Sequence, residues 1–193
     1  MADVTTLFWD ICGVILTNGW DRASRKLASQ QFGLDWEEYQ DRHELSFPAF
    51  EMGELTLDQY LDRTVFYRSR PFSCDEFRAF MFAQSRELPE SRAVVSQLAR
   101  SGRFFLATLN NEPLELNQRR IEQFGLRNDF RVFFSSCYVG ARKPDAAIYR
   151  LALEVTQRDP QECIFIDDRA LNLECAGRLG MRTIHFQNAA QLQ

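Results

Sequence analysis

Five short runs of β-favouring, largely apolar residues punctuate the chain, at 4–9, 104–109, 131–134, 163–167 and 182–186. The run CIFI at 163–166 has no polar alternation, as expected of a strand covered on both faces. Between the last four runs lie stretches long enough for crossover helices. RRIEQFG stops at Gly125 and LNLECAGRLG at Gly180, the residue type that accepts the left-handed conformation closing a helix. This alternation predicts an α/β fold with a doubly wound, Rossmann-like parallel sheet.

The first connection is different. About eighty residues separate the run ending at Trp9 from the helix expected near Glu90, far more than one crossover requires. The intervening sequence is helical in character: Thr56 with Gln59 and Ser73 with Glu76 have capping-box spacing, and Gly33 and Gly53 sit where helices would stop. Phenylalanines 47, 50, 66, 72, 77, 80 and 82 supply material for a separate small core. The expected organisation is therefore a core domain of residues 1–17 and 89–193, with a helical cap domain at 18–88 inserted after the first strand.

Composition narrows the field. With 193 residues, 45% apolar and 26% charged, the chain suits one soluble core domain carrying a smaller insertion. A net charge of −4 offers no general attraction to nucleic acid or acidic membrane surfaces. No apolar run approaches the ~18 residues of a membrane span, and the N-terminus lacks a basic segment followed by an apolar one, so a cytoplasmic location is expected. Five cysteines without CxxC spacing argue against a disulfide framework or a zinc site. Oligomeric state is not legible.

Candidate chemistry gathers at the ends of the predicted strands, the edge where open α/β sheets bind ligands. Asp10 ends the first; on its own, an Asp there equally serves to cap a turn. Asp167 and Asp168 end the fourth, and two adjacent acids repel unless a positive charge compensates. A helix dipole accounts for one such Asp better than for two. A hard cation such as Mg²⁺, held beside a phosphate substrate, accounts for both. Thr108, Asn110 and Asn111 at the end of the second strand are short polar groups suited to phosphate oxygens or to simple turn formation. Lys143 follows the third strand, directly before Pro144, where the first turn of a helix is expected; it suits phosphate neutralisation or, as plainly, the surface. His43 is expected at a solvated position of a cap helix, His185 in a structural position on the last strand, and Trp9 and Trp20 as packing around the first motif.

In order, DICGV (10–14), LNN (109–111), KPDAAIY (143–149) and FIDD (165–168) resemble the four motifs of the haloacid dehalogenase superfamily, and the match spans essentially the whole chain. The resemblance is strongest to the branch of glucose-1-phosphate phosphatases and epoxide hydrolase N-terminal phosphatase domains, where EMGELTLDQY (51–60) resembles a recurring part of the cap. It implies that Asp10 attacks phosphorus to form an aspartyl phosphate. It further implies that Asp10, Asp168 and the Cys12 backbone carbonyl bind Mg²⁺, that Asp167 acts through water, and that Lys143 and Asn110 or Thr108 hold the phosphate.

Two positions depart from the family pattern. Cys12 stands where these phosphatases usually carry an acid/base Asp, and a thiol among carboxylates is a poor proton shuttle. Asn110 stands where a Ser or Thr is usual, unless the register shifts to Thr108. The expected function is a Mg²⁺-dependent phosphatase or phosphotransferase acting on a small phosphorylated metabolite. The alternative is a non-catalytic module that binds a phospho-ligand. Dehalogenation is disfavoured, because dehalogenases work without metal and do not need the Asp167–Asp168 pair.

Overall fold

Every residue of β1 (Thr6–Trp9) is buried, because this strand lies at the centre of a five-stranded sheet. The computed structural model describes residues 2–192. From β1 the chain passes through α1 (Arg22–Gln31), α2 (Trp36–Glu51), α3 (Leu57–Thr64) and α4 (Cys74–Ala83) before α5 (Pro89–Ser101). It then alternates through β2 (Phe105–Asn110), α6 (Leu114–Gln123), β3 (Val132–Ser135), α7 (Ser136–Val139), α8 (Ala146–Thr156), β4 (Cys163–Asp167), α9 (Ala170–Arg178) and β5 (Arg182–His185). All pairings are parallel and the order is β3-β2-β1-β4-β5, so the fold is the expected doubly wound α/β sheet.

The two-residue period of a strand builds both faces of the core. Leu7, Trp9, Leu106 and Ile166 pack with Val94 and Val95 of α5 and Ile121 of α6. Phe8, Ala107, Leu109 and Phe165 pack with Ile148 and Tyr149 of α8 and Leu173 of α9. In register, Trp9 lies between Thr108 and Ile166, which aligns the ends of β2, β1 and β4.

Two strand limits shift in a way that matters below. β2 runs one residue beyond the expected end and takes in Asn110, which pairs with Ser135 of β3. Pro144 is not in the first turn of α8: that helix begins at Ala146 after Asp145, leaving Lys143 and Pro144 in the preceding loop.

Helices α1 to α4 start on local signals. Thr56 and Ser73 accept from the backbone N–H of Gln59 and Glu76, whose side chains accept in return from the cap N–H groups. Asp21 and Asp35 cap α1 and α2. The four helices share a hydrophobic cluster that includes Trp20, Tyr39, Phe50, Tyr60, Leu61, Phe77 and Met81, joined by Leu116 of α6. Phe77 is its hub, fully buried and in aromatic contact with Trp20, Phe32, Phe66 and Phe72 at ring separations of 5.9, 4.9, 6.4 and 6.1 Å.

His43 is not solvated as the sequence suggests. It is 4% exposed, its Nδ1 lies 2.8 Å from the Tyr60 hydroxyl, and burial together with the Arg25 charge holds its pKa down to about 3. The imidazole is therefore neutral at physiological pH.

The chain enters and leaves the four helices through two adjoining segments. Thr17 N–H donates to the Arg86 carbonyl at 2.8 Å, Leu88 N–H to Ile15 at 2.9 Å, and the Thr17 hydroxyl to Gln84 at 2.9 Å. Among the described residues no helix is long and apolar enough to cross a membrane.

Replacing Phe77 with Ala should lower the unfolding free energy by about 3–5 kcal/mol, the usual cost of emptying a buried aromatic site. Urea denaturation would measure it. A loss below about 1 kcal/mol would mean that the cluster collapses around the gap and that Phe77 is no hub.

Candidate active site

Asp10 continues the line of β1, its N–H donating to Ile166 of β4 at 2.9 Å. The chain then turns sharply: Gly13 donates to Leu16 at 2.7 Å and Ile15 to Ile11 at 2.8 Å. Gly13 has a φ of +85°, and a Cβ there would overlap the Asp168 carboxylate. A residue without a side chain is needed for both reasons. The turn thus lets the acid at the end of β4 lean against the one at the end of β1.

Three carboxylates meet at this edge. One oxygen from each of Asp10, Asp167 and Asp168 lies within 4.8 Å of the others. Lys143 enters between two of them, with Nζ 3.0 Å from Asp10 Oδ1 and 2.6 Å from Asp167 Oδ2, and is only 2% exposed. Asp167 is saturated, accepting also from Arg169 N–H at 2.7 Å and from the Asn172 amide at 3.0 and 3.1 Å. Asp10 Oδ1 accepts from Ile11 N–H at 2.8 Å, whereas its Oδ2 has no protein donor among the described residues. Asp168 Oδ1 is buried with no partner.

The electrostatics follow from burial. Desolvation raises the Asp10 carboxyl to about 7 against the opposing pull of the Lys143 ammonium, and the Asp167 charge adds to the rise. Burial and the Asp167 charge also raise Asp168. For Lys143, burial by itself would lower the pKa, but Asp10 and Asp167 together push it above its ordinary value. Three acids against one ammonium, with one buried oxygen orphaned, form a donor set that fits a divalent cation with a preference for hard oxygen ligands.

The polar groups after β2 divide. The Asn111 side chain clamps the loop before α8, accepting from Lys143 N–H at 2.8 Å and donating to its carbonyl at 2.9 Å, and it lines the cleft. Asn110 is fully buried and turned elsewhere, bonded to Ser135 and Asn117 at 3.0 and 3.3 Å. Thr108 lies inside β2 with its hydroxyl buried. Neither Asn110 nor Thr108 lines the cavity beside Asp10.

Cys12 lines that cavity, and its thiol donates to Glu112 Oε1 at 2.8 Å. Burial, reinforced by the Glu112 carboxylate and only partly offset by Arg120, pushes the thiol well above its ordinary pKa. Glu112 is itself 3% exposed and ion-paired to Arg120, whose Nε donates to the Ser85 hydroxyl at 2.9 Å. Ser85 belongs to the segment leaving α4, so a buried chain of contacts runs from Cys12 to the connection with the four helices. The sequence reading missed Glu112, Arg120 and Asn172. Only Asn172 left a signal, an amide one helical turn beyond two acids. His185 is a surface residue of β5, its Nε2 3.0 Å from the Asp168 carbonyl.

Comparison with known proteins identifies the family. A family model described as haloacid dehalogenase-like hydrolase matches residues 4–180. The chain belongs to this family. It is 30% identical over 151 residues to a chloroplast flavin mononucleotide hydrolase of Arabidopsis thaliana, covering 78% of this chain and 60% of that protein. It is 27% identical over 204 residues to bifunctional epoxide hydrolase 2 of Sus scrofa, covering 91% of this chain and 35% of that one. The chain thus spans less than two thirds of the length of either relative. Among solved structures, a haloacid dehalogenase family enzyme of Bacteroides thetaiotaomicron, crystallised with magnesium and inorganic phosphate, shares the fold. Its TM-score is 0.79 at 19% identity, over 94% of this chain and 93% of that one.

Removing one partner from the Glu112–Arg120 pair leaves the other as an uncompensated buried charge. Glu112→Ala should therefore destabilise the protein by about 3–5 kcal/mol, read from chemical denaturation. An unchanged midpoint would show that Arg120 reaches water when unpaired.

Proposed function

We propose that the protein is a Mg²⁺-dependent phosphatase or phosphotransferase acting on a small phosphomonoester. The observation that carries this reading is the convergence of Asp10, Asp167 and Asp168 on one point with Lys143 between them and one buried carboxylate oxygen unpartnered. Asp10, Asp168 and the Cys12 carbonyl would hold Mg²⁺, with Asp167 behind them through water. The ion would supply the positive charge that brings a phosphoryl group to a cluster of anions.

The side chains then divide the work. Asp10 Oδ2, free of protein donors, attacks phosphorus while Oδ1 stays fixed by Ile11 N–H and Lys143. The phosphorus–oxygen bond to the leaving group breaks as the aspartyl phosphate forms, and attack of water on that phosphorus regenerates Asp10. Lys143 balances charge on the phosphoryl oxygens. Asn111 fixes the loop that carries Lys143.

The Cys12 thiol stays protonated and directed at Glu112, so no side chain in the usual position delivers a proton to the leaving oxygen. General acid help of this kind is worth ~10²- to 10⁴-fold, and its lack favours substrates with good leaving groups. It is also the observation behind a second reading, a module that binds a phospho-ligand without turnover. Residues 18–88 act in either case as a cap over the core formed by 1–17 and 89–193, since both parts line a cleft of about 580 Å³.

Assay of aryl and alkyl phosphates with and without Mg²⁺ separates the two readings. The enzyme should hydrolyse aryl phosphates faster and need the metal; binding of Mg²⁺ and phosphate with no turnover of either class would favour the module. Asp10→Asn should abolish turnover while the circular dichroism spectrum and melting temperature stay close to the parent's. Full activity in a folded Asp10→Asn protein would exclude the covalent route. By calorimetry, Asp168→Ala should weaken Mg²⁺ binding more than Asp167→Ala, and the reverse order would mean that the inner-shell ligand is Asp167.

A further inference from the structure

Resting on the phosphatase reading, we propose that the cleft contains a second anion subsite formed by Arg22 and Arg169, and that the substrate is a phosphomonoester whose organic part carries a second anionic group. The cleft has two compartments of unequal size. The inner one, beside Asp10, Asn111 and Lys143, measures about 40 Å³. A space that small suits a compact group such as a phosphoryl and leaves the organic part of a substrate outside. The outer one, about 580 Å³, is in the range of sites that hold whole organic ligands.

Charge in the outer compartment is unbalanced. Six cationic side chains line it, against the three acids Asp21, Glu51 and Glu112. Four of the cations are already engaged. Arg25 is buried and donates to the Trp20 carbonyl at 2.7 Å and to Gln40 at 3.3 Å. Arg120 pairs with Glu112, Arg142 with Glu51 at 3.2 Å, and Lys143 with Asp10 and Asp167. The acids are engaged as well, because Asp21 accepts from Ser24 N–H and Oγ, both at 2.8 Å, as the cap of α1.

Arg22 and Arg169 remain. Among the described residues, neither guanidinium forms an ion pair or a side-chain hydrogen bond. Arg22 is held over the Trp36 ring at 5.2 Å, a contact that orients a guanidinium without neutralising it. Arg169 lies at the N-terminus of α9 and lines both compartments, yet makes no ion pair with the neighbouring Asp168. One arginine comes from α1 on the cap side and the other from the core. Two cations bordering one cavity repel each other until an anion lies between them. A phosphoryl group in the inner compartment borders Arg169 but not Arg22, which lines only the outer compartment, whereas a second carboxylate or phosphate on the substrate's body would lie in the compartment that both arginines line. A planar guanidinium pairs with either group through two parallel hydrogen bonds.

The test compares matched substrates on the full-length chain at saturating Mg²⁺: glycerol 3-phosphate against 3-phosphoglycerate, and fructose 1-phosphate against fructose 1,6-bisphosphate, with p-nitrophenyl phosphate as the control for turnover. The member of at least one pair that carries the second anionic group should show a kcat/KM about tenfold higher or more, and the responding pair identifies that group as carboxylate or phosphate. Arg22→Gln and Arg169→Gln should each bring that ratio down towards one. A ratio near one for both pairs in the parent, or a ratio that neither substitution moves, would overturn the subsite. If no compound, p-nitrophenyl phosphate included, is hydrolysed, the phosphatase reading fails by itself. The subsite is then decided by calorimetric Kd values for the same pairs: tighter binding of the member with the second anionic group that both variants abolish supports it, and equal Kd values overturn it.

Discussion

The site depends on one buried ammonium. Lys143 is 2% exposed and lies between Asp10 and Asp167, two carboxylates delivered by neighbouring strands. Like charges that close do not share a water-poor pocket without compensation. The ammonium in turn bears its desolvation only because both acids contact it. Asn111 and Asn172 complete the arrangement. One fixes the backbone of Lys143 and the other fixes Asp167, so the charged trio is held by neutral amides and not by further ions.

This arrangement still leaves a deficit of positive charge. One ammonium faces three carboxylates, and Asp168, pressed against Gly13, has an oxygen without a donor. On the reading proposed above, a divalent cation bound from outside would supply the rest of the balance, and with it the attraction for a phosphoryl group. The same imbalance, with opposite sign, occurs farther out in the cleft at Arg22 and Arg169. A ligand that lies along the cleft therefore meets a cation-seeking end and an anion-seeking end.

Between the two ends lies the contact chain from Cys12 through Glu112 and Arg120 to Ser85. It replaces an ionisable group at position 12 with a thiol that burial keeps protonated, and it ties the loop after β2 to the chain connecting the four helices. Glu112 is engaged on both oxygens, by Cys12 and by Arg120, so its role here is to hold structure.

The sheet was legible because its signals are local. Apolar runs such as CIFI, helix-ending glycines and the capping boxes at Thr56 and Ser73 act within a few residues, and their order along the chain carried the acids to strand ends. Which side chains meet was not local. Asn110 and Asn111 are equivalent in sequence, and only the extension of β2 by one residue turned the first into the core towards Ser135 and left the second at the cleft. His43 became a neutral base through burial and the Arg25 charge, with Tyr60 as its hydrogen-bond partner, and Cys12 met Glu112 across a hundred residues of chain. Sequence by itself determined the α/β scaffold and the edge where chemistry gathers, since periodicity and capping fix backbone direction. Tertiary packing decided the charge partners, since an ion pair depends on how side chains from distant segments are brought together and shielded from water.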